Sequence, residues 1–138
     1  MDRITKPVIA VVDDDSRVRE SLASLIESAG FTARVFSLAK DFLRGDFLTG
    51  ANCLITDVRM PGMDGLDLQR CVRLERPELP VIFITAHHDD EVERCAFAQG
   101  AAFFIRKPFD AEELLRAVKI ALSEASGGPR PITFQEER

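Results

Sequence analysis

The sequence contains no long uninterrupted apolar run, and its opening, MDRITKPVIAVVDDD, meets three acids before a signal-peptide pattern can develop. Neither a membrane span nor a secretory leader is expected, and the reading is a cytoplasmic protein. Positive charge is scarce as well. The chain has 18 Lys and Arg against 23 Asp and Glu, for a formal net charge of −5. Such a balance leaves no basic surface for nucleic acid or for an anionic membrane, so any action on DNA belongs outside this stretch. Cysteine is limited to Cys53, Cys71 and Cys95, odd in number, far apart and without a C-x-x-C pair. These suit reduced thiols buried as small hydrophobes and make a metal site built on them a poor reading. What remains is an ordinary globular composition, 46% hydrophobic and 30% charged over 138 residues. That is one domain with a real core.

Five short apolar runs alternate with helical patterns. PVIAVVD (7–13), FTARVF (31–36), ANCLITD (51–57), PVIFIT (80–85) and AFFIRK (102–107) read as strands. Four are nearly continuous, as strands covered on both faces are, while FTARVF alternates and suits a sheet edge. Between them, SRVRESLASLIESAG carries Val18, Leu22, Leu25, Ile26 and Ala29 at helical spacing, with Ser16 as expected N-cap and Gly30 past the end. SLAKDFL follows with Ser37 as cap. DGLDLQRCVRLERP opens on Asp64, with Asp67 in the capping-box position, and DDEVERCAFAQG ends on glycine. DAEELLRAVKIALSEA starts at Asp110 with acids in its first turn, as the helix dipole prefers. In MPGMDG (60–65), Gly62 and Gly65 are expected to meet backbone needs of a turn.

This alternation predicts an α/β fold, a doubly wound five-stranded parallel sheet of order 2-1-3-4-5, flavodoxin-like. Residues 1–125 are expected to form the domain, and 126–138, SGGPRPITFQEER, a linker or C-terminal tail. In such sheets ligands sit beyond the carboxyl ends of the strands, where the winding reverses. There the sequence places Asp13 and Asp14 after strand one, Asp57 after strand three, Thr85 after strand four, and Lys107 with Pro108 after strand five. Three carboxylates, a hydroxyl and an ammonium converge. The acids repel one another unless a cation sits among them, and a hard divalent ion such as Mg²⁺ takes this donor set. Mg²⁺, carboxylates and one lysine point to phosphoryl chemistry, with Asp57, alone on the central strand, as the nucleophile and Lys107 offsetting phosphoryl charge.

The stretches VVDDDSRVRESL, LITDVRMPGMDG, PVIFITAH and FFIRKPF resemble, in order and spacing, the motifs of the response-regulator receiver domain of two-component signalling. The resemblance covers about Val8 to Ala125 and looks closest to the FixJ/NarL-type subgroup. It implies that Asp57 is phosphorylated from the phosphohistidine of a sensor histidine kinase. It implies that Asp14 and Asp57 ligate Mg²⁺ with the backbone carbonyl of Arg59, Asp13 acting directly or through water. Thr85 and Lys107 would bind the phosphoryl oxygens, Phe104 would swing inward as Thr85 moves, and the Lys107–Pro108 bond would be cis. The face around the fourth predicted helix (89–99), strand five and the last helix would then control an output domain or partner, transcription included. A homodimer through that helix and strand five is part of the same expectation.

Some residues stay open at this stage. Arg59 and His87 sit two places after Asp57 and Thr85, either shielding the acyl phosphate or forming a solvated rim. Phe103 is either an exposed contact or packing, and His88 has no partner to name. Two other functions compete with a signalling module that modifies only itself. An aspartyl-phosphate phosphatase or mutase needs a second acid two residues beyond the nucleophile, where Arg59 stands, and a cap domain for which there is no room. A flavin or nucleotide binder needs a glycine- or hydroxyl-rich loop after strand one, where acids stand instead.

Overall fold

Within each apolar run, successive side chains leave the backbone on opposite sides, so a continuous run fills two cores at once. In the computed structural model, which describes residues 6–87 and 89–126, this is what the strands do. Residues 1–5, His88 and 127–138 lie outside the described residues, and with them the segment expected to be a linker or tail. The elements are β1 (Val8–Val12), α1 (Ser16–Ser28), β2 (Thr32–Phe36), α2 (Ala39–Leu43), α3 (Phe47–Gly50) and β3 (Cys53–Asp57), followed by α4 (Gly65–Glu75), β4 (Val81–Thr85), α5 (Asp90–Ala98), β5 (Phe103–Arg106) and α6 (Ala111–Ser126). All strand pairs are parallel, in the order β2-β1-β3-β4-β5. The predicted topology is the observed one, with FTARVF at an edge.

Ile9, Val11, Ile55, Ile82, Ile84 and Ile105 pack with Leu22 and Ile26 of α1 and Leu114 and Val118 of α6. Their neighbours Ala10, Val12, Leu54 and Phe83 pack on the other side, with Phe42 of α2, Leu68 and Val72 of α4 and Ala96 of α5. Both faces of the sheet are therefore sealed, and the strand ends are the places left where polar side chains gather.

Several local expectations need correction. The N-cap of α1 is Asp15, whose carboxylate accepts the Arg17 N–H at 2.9 Å, and Ser16 is the first helical residue. Asp15 is extended at φ −91° and ψ 116°, the geometry a cap requires. Ser37 does not cap α2. That single turn begins at Ala39 after Leu38, with no side-chain cap bond. The sequence reading left out α3 altogether. Its carbonyls are held from a distance by Arg76, which donates to the oxygens of Leu48 (2.9 Å), Thr49 (3.1 Å) and Ala51 (2.6 Å). Ser126, expected in the tail, still belongs to α6. Of the three thiols only Cys53 is buried, its pKa pushed up to about 12 by that burial, while Cys71 and Cys95 are half-buried.

The junction between β3 and α4 is the tightest part of the scaffold. Gly65 donates its N–H to the Val58 carbonyl at 2.8 Å, and Asp64 caps the helix by accepting the Asp67 N–H at 2.9 Å. A methyl group placed on Gly65 would lie 2.2 Å from the Asp57 carbonyl oxygen, a distance no real contact tolerates. Since the obstacle is backbone, the strand end or the helix start must move. Gly65→Ala is expected to lower stability by about 2 kcal/mol, overpacking strain outweighing alanine's helix preference of under about 1 kcal/mol. Urea unfolding of the two proteins measures it, and a variant as stable as wild type would contradict the close approach.

Candidate functional site

Because β1 and β3 are neighbours, the residues that leave them meet at one edge of the sheet. Asp57 is the last residue of β3, and Asp13 follows β1. Lys107 follows β5, two strands away from β3, and only a long stem spans that gap. Its ammonium donates to Asp13 Oδ2 at 3.0 Å and to Asp57 Oδ2 at 3.1 Å. Carboxylate oxygens of Asp13, Asp14 and Asp57 all lie within 4.8 Å of one another. Asp13 is fully buried, Asp57 nearly so, and Asp14 is exposed. The convergence expected from the strand ends is present.

Each remaining atom of the buried pair is held. The Asp57 Oδ1 accepts the Val58 N–H at 2.7 Å. Asp13 Oδ1 accepts the Asp15 N–H at 2.9 Å, and its own N–H donates to the Phe36 carbonyl at 3.1 Å, extending the ladder with β2. The Asp13 carbonyl accepts from Arg19 Nη1 at 2.8 Å. Sequence reasoning missed Arg19 and the close approach of Gly65. Arg19 lies in the second half of the quoted motif, but nothing in the string says that its side chain turns back toward β1.

Thr85 is not part of this network. Its hydroxyl oxygen accepts the His87 N–H at 3.1 Å and lies 3.3 Å from the His87 carbonyl. The pleat explains it: Thr85 alternates with Ile84, and so shares the side of Phe83 and Phe104 rather than that of Ile82, Ile84 and Ile105. Phe104 is half-buried, with its ring 5.9 Å from that of Phe83 and 6.4 Å from that of Phe97. Phe103 packs on the opposite side, with the α1 and α6 core. Arg59 and His87 are exposed at the rim, and His88 lies outside the described residues. The Lys107–Pro108 peptide is cis, as the resemblance implies.

Charge does not balance here. Three carboxylates face one ammonium, and the titration of the groups reflects it. Burial pushes the Asp13 carboxyl above its ordinary value, against the lowering effect of the Asp15 N–H and of Lys107. For Lys107, burial alone would lower the pKa, but the hydrogen bond to Asp13 and the charges of Asp57 and Asp13 together raise it. The lysine thus gains from the cluster, while buried Asp13 remains under-compensated. A carboxyl whose pKa is raised by folding contributes stability below its ordinary pKa and loses it as pH rises through the raised value. At neutral pH the Asp13 charge is therefore a burden on the fold. Asp13→Asn is expected to raise stability there by about 1 kcal/mol, roughly 3–5 °C in Tm for a domain of this size. The gain should fade as pH falls below about 4, where free aspartate is itself protonated. Thermal melts across pH in chelator check it, and a variant less stable than wild type at pH 7 would show that the charge is fully compensated.

Does the donor set fit a divalent cation? All three side chains offer oxygen, their ligand atoms are close enough to share one ion, and the acids outnumber the local ammonium. A hard ion such as Mg²⁺ fits.

Residues 9–119 match the response regulator receiver domain family. The chain is 42% identical over 133 residues to the response regulator protein TodT of Pseudomonas putida, which covers 94% of this chain and 59% of TodT. It is 37% identical over 123 residues to the transcriptional regulatory protein FixJ of Bradyrhizobium diazoefficiens, covering 88% of this chain and 59% of FixJ. The solved structure of the response regulator StyR superposes with a TM-score of 0.81 at 40% identity, over 88% of this chain and 62% of that one. The chain spans about three fifths of the length of these curated relatives.

Proposed function

The chain belongs to the response regulator receiver domain family, and from that premise we propose that it accepts a phosphoryl group on Asp57 from the phosphohistidine of a sensor histidine kinase. The observation that carries this reading is the Lys107 ammonium bridging Asp57 and Asp13. A carboxylate oxygen of Asp57 attacks phosphorus, the O–P bond of an acyl phosphate forms, and the P–N bond to the donor imidazole breaks, with the nitrogen taking up a proton. Lys107 stays beside the acceptor throughout and offsets charge on the phosphoryl oxygens. Val58 holds Asp57 Oδ1 by its N–H and fixes the carboxylate plane. Asp13, Asp14 and Asp57, with the backbone carbonyl of Arg59, would hold Mg²⁺. Bound there, Mg²⁺ supplies positive charge to the transferring phosphoryl group and relieves the repulsion among the three acids.

The acyl phosphate adds acceptor oxygens that would draw in the Thr85 hydroxyl, which otherwise bonds the His87 backbone. Drawing Thr85 across frees space on the side where Phe104 lies against Phe83 and Phe97. The phosphate biases an existing equilibrium, and the α5, β5 and α6 face carries it to an output domain or partner. The module turns over no external substrate. Homodimerisation through α5 and β5 and control of transcription belong to the same proposal, as do a cytoplasmic location and no direct binding of nucleic acid by this chain. Among the described residues, no helix is long and apolar enough to cross a membrane.

Mass spectrometry of the protein incubated with acetyl phosphate tests the reading. A gain of one phosphoryl group that requires Mg²⁺ is expected. No uptake with Mg²⁺ present would sink it.

A further inference from the structure

At the end of β1 the backbone has a gap in its hydrogen bonding. Asp13 continues the ladder through its N–H, which bonds Phe36 of β2. Its carbonyl is one residue past the β1–β3 pairing, which ends at Val12 and Thr56. A carbonyl at this partly buried position needs a donor, and a guanidinium from α1 supplies it: Arg19 Nη1 lies 2.8 Å from the Asp13 oxygen. The same arginine is tied to the helix start by its own N–H, which bonds the Asp15 carbonyl at 3.1 Å. Its side chain thus spans from the first turn of α1 back to the strand end, closing a loop around Asp13, Asp14 and Asp15.

We propose that Arg19 is a positioning residue for the metal-binding acids, clamping the Asp13 backbone so that the Asp13 and Asp14 carboxylates keep the spacing a divalent cation needs. This rests on the reading of Asp13, Asp14 and Asp57 as the Mg²⁺ site. Arg19 touches neither metal nor phosphoryl group. It acts through the main chain, whose direction at residue 13 decides where both side chains leave it. Two effects of the arginine oppose one another. Its charge, close to the acids, repels a cation, so removing it should tighten Mg²⁺ binding if electrostatics governs. Its hydrogen bond sets geometry, so removing it should loosen binding if positioning governs. Outer-shell partners that orient metal ligands commonly change affinity by about tenfold or more, and the positioning effect is the larger here.

The test is Mg²⁺ binding to wild type, Arg19→Ala and Arg19→Lys, followed by amide NMR shifts at a single pH, with Tm recorded in chelator for all three. Arg19→Ala is expected to bind Mg²⁺ about tenfold more weakly, and Arg19→Lys, which keeps a long donor, to recover most of that loss. A merely structural role would lower Tm and leave the affinity of the folded protein unchanged. Unchanged or tighter binding in Arg19→Ala would overturn the proposal, as would an Arg19→Lys variant as weak as alanine. Should Arg19→Ala fail to fold, the lysine variant alone decides: affinity near that of wild type supports the clamp, and tighter binding refutes it. If wild type binds no Mg²⁺, it is the reading of the metal site that fails, an outcome distinct from all of these.

Discussion

Asp57→Asn is expected to take up no phosphoryl group under conditions that convert wild type. The substitution is close to isosteric, and its amide oxygen can still accept the Val58 N–H that fixes the acceptor. What disappears is the nucleophile, since a neutral amide oxygen has little tendency to attack phosphorus and its product would not be a stable acyl phosphate. Loss of a nucleophile of this kind lowers rates by at least about 10³-fold, which is beyond detection in an endpoint mass measurement. The other acids do not replace it equally. Asp13 has both carboxylate oxygens engaged, by Asp15 N–H and by Lys107, and no exposure to a donor. Asp14 is exposed, and so is the acid of the cluster best placed to take over from Asp57 as acceptor. The experiment is therefore read with peptide mapping. A singly phosphorylated Asp57→Asn protein at near wild-type yield, with the group on Asp14, would move the acceptor and overturn the assignment of Asp57.

Lys107→Ala is expected to produce the largest change in stability, and one that depends on Mg²⁺. The ammonium is 16% exposed at the side chain and sits between carboxylates that are 0% and 11% exposed. Removing one partner of a buried ion pair usually costs about 3–5 kcal/mol, because the remaining charge is left without compensation. Here partial exposure of Lys107 limits the loss, to roughly 2–3 kcal/mol in chelator at pH 7. Two controls follow from the sign of the titration shifts. The pKa of Lys107 is raised in the fold, so its contribution is present at neutral pH and is lost as pH rises through the raised value. Lowering the pH toward 4 should narrow the gap between variant and wild type, because Asp13 then carries a proton and repels Asp57 less. Adding Mg²⁺ should also restore much of the variant's stability, since binding to the folded state adds RT ln(1 + [Mg²⁺]/Kd). Urea unfolding with and without Mg²⁺ measures both effects. A variant as stable as wild type in chelator would show that the ammonium does not hold the cluster together. Phosphoryl uptake by Lys107→Ala should fall as well, the charge opposite the metal being gone.

Much of the architecture could be read from the string because the physics behind it is local. A strand covered on both faces is apolar along its length, as VIAVV is, and CLITD and VIFIT run apolar until the polar residues at their carboxyl ends. A strand at the edge is free to alternate, and TARVF does. Helix starts at Asp64, Asp89 and Asp110 were legible because each aspartate bonds an N–H within three residues of itself. Parallel topology then forces the strand ends to one edge, so Asp13, Asp57 and Lys107 could be brought together without a structure.

What sequence alone could not decide is how each side chain is aimed once it arrives there. Asp13 and Asp14 are adjacent and chemically identical, yet the backbone course after β1 buries the first and leaves the second in solvent. Thr85 ends its strand as Asp57 does, but one step out of phase in the pleat, and so it faces Phe104 and bonds His87 instead of joining the acids. The carbonyls at the end of the short helix α3 find their donor in Arg76, from 25 to 28 residues further on. Gly65 is required by a backbone oxygen eight residues earlier. Composition and periodicity determine which elements form and in what order they stack, since those depend on neighbours in the chain. The orientation of a charge, the partner of a carbonyl and the room for a methyl group depend on neighbours in space, and these only the folded chain supplies.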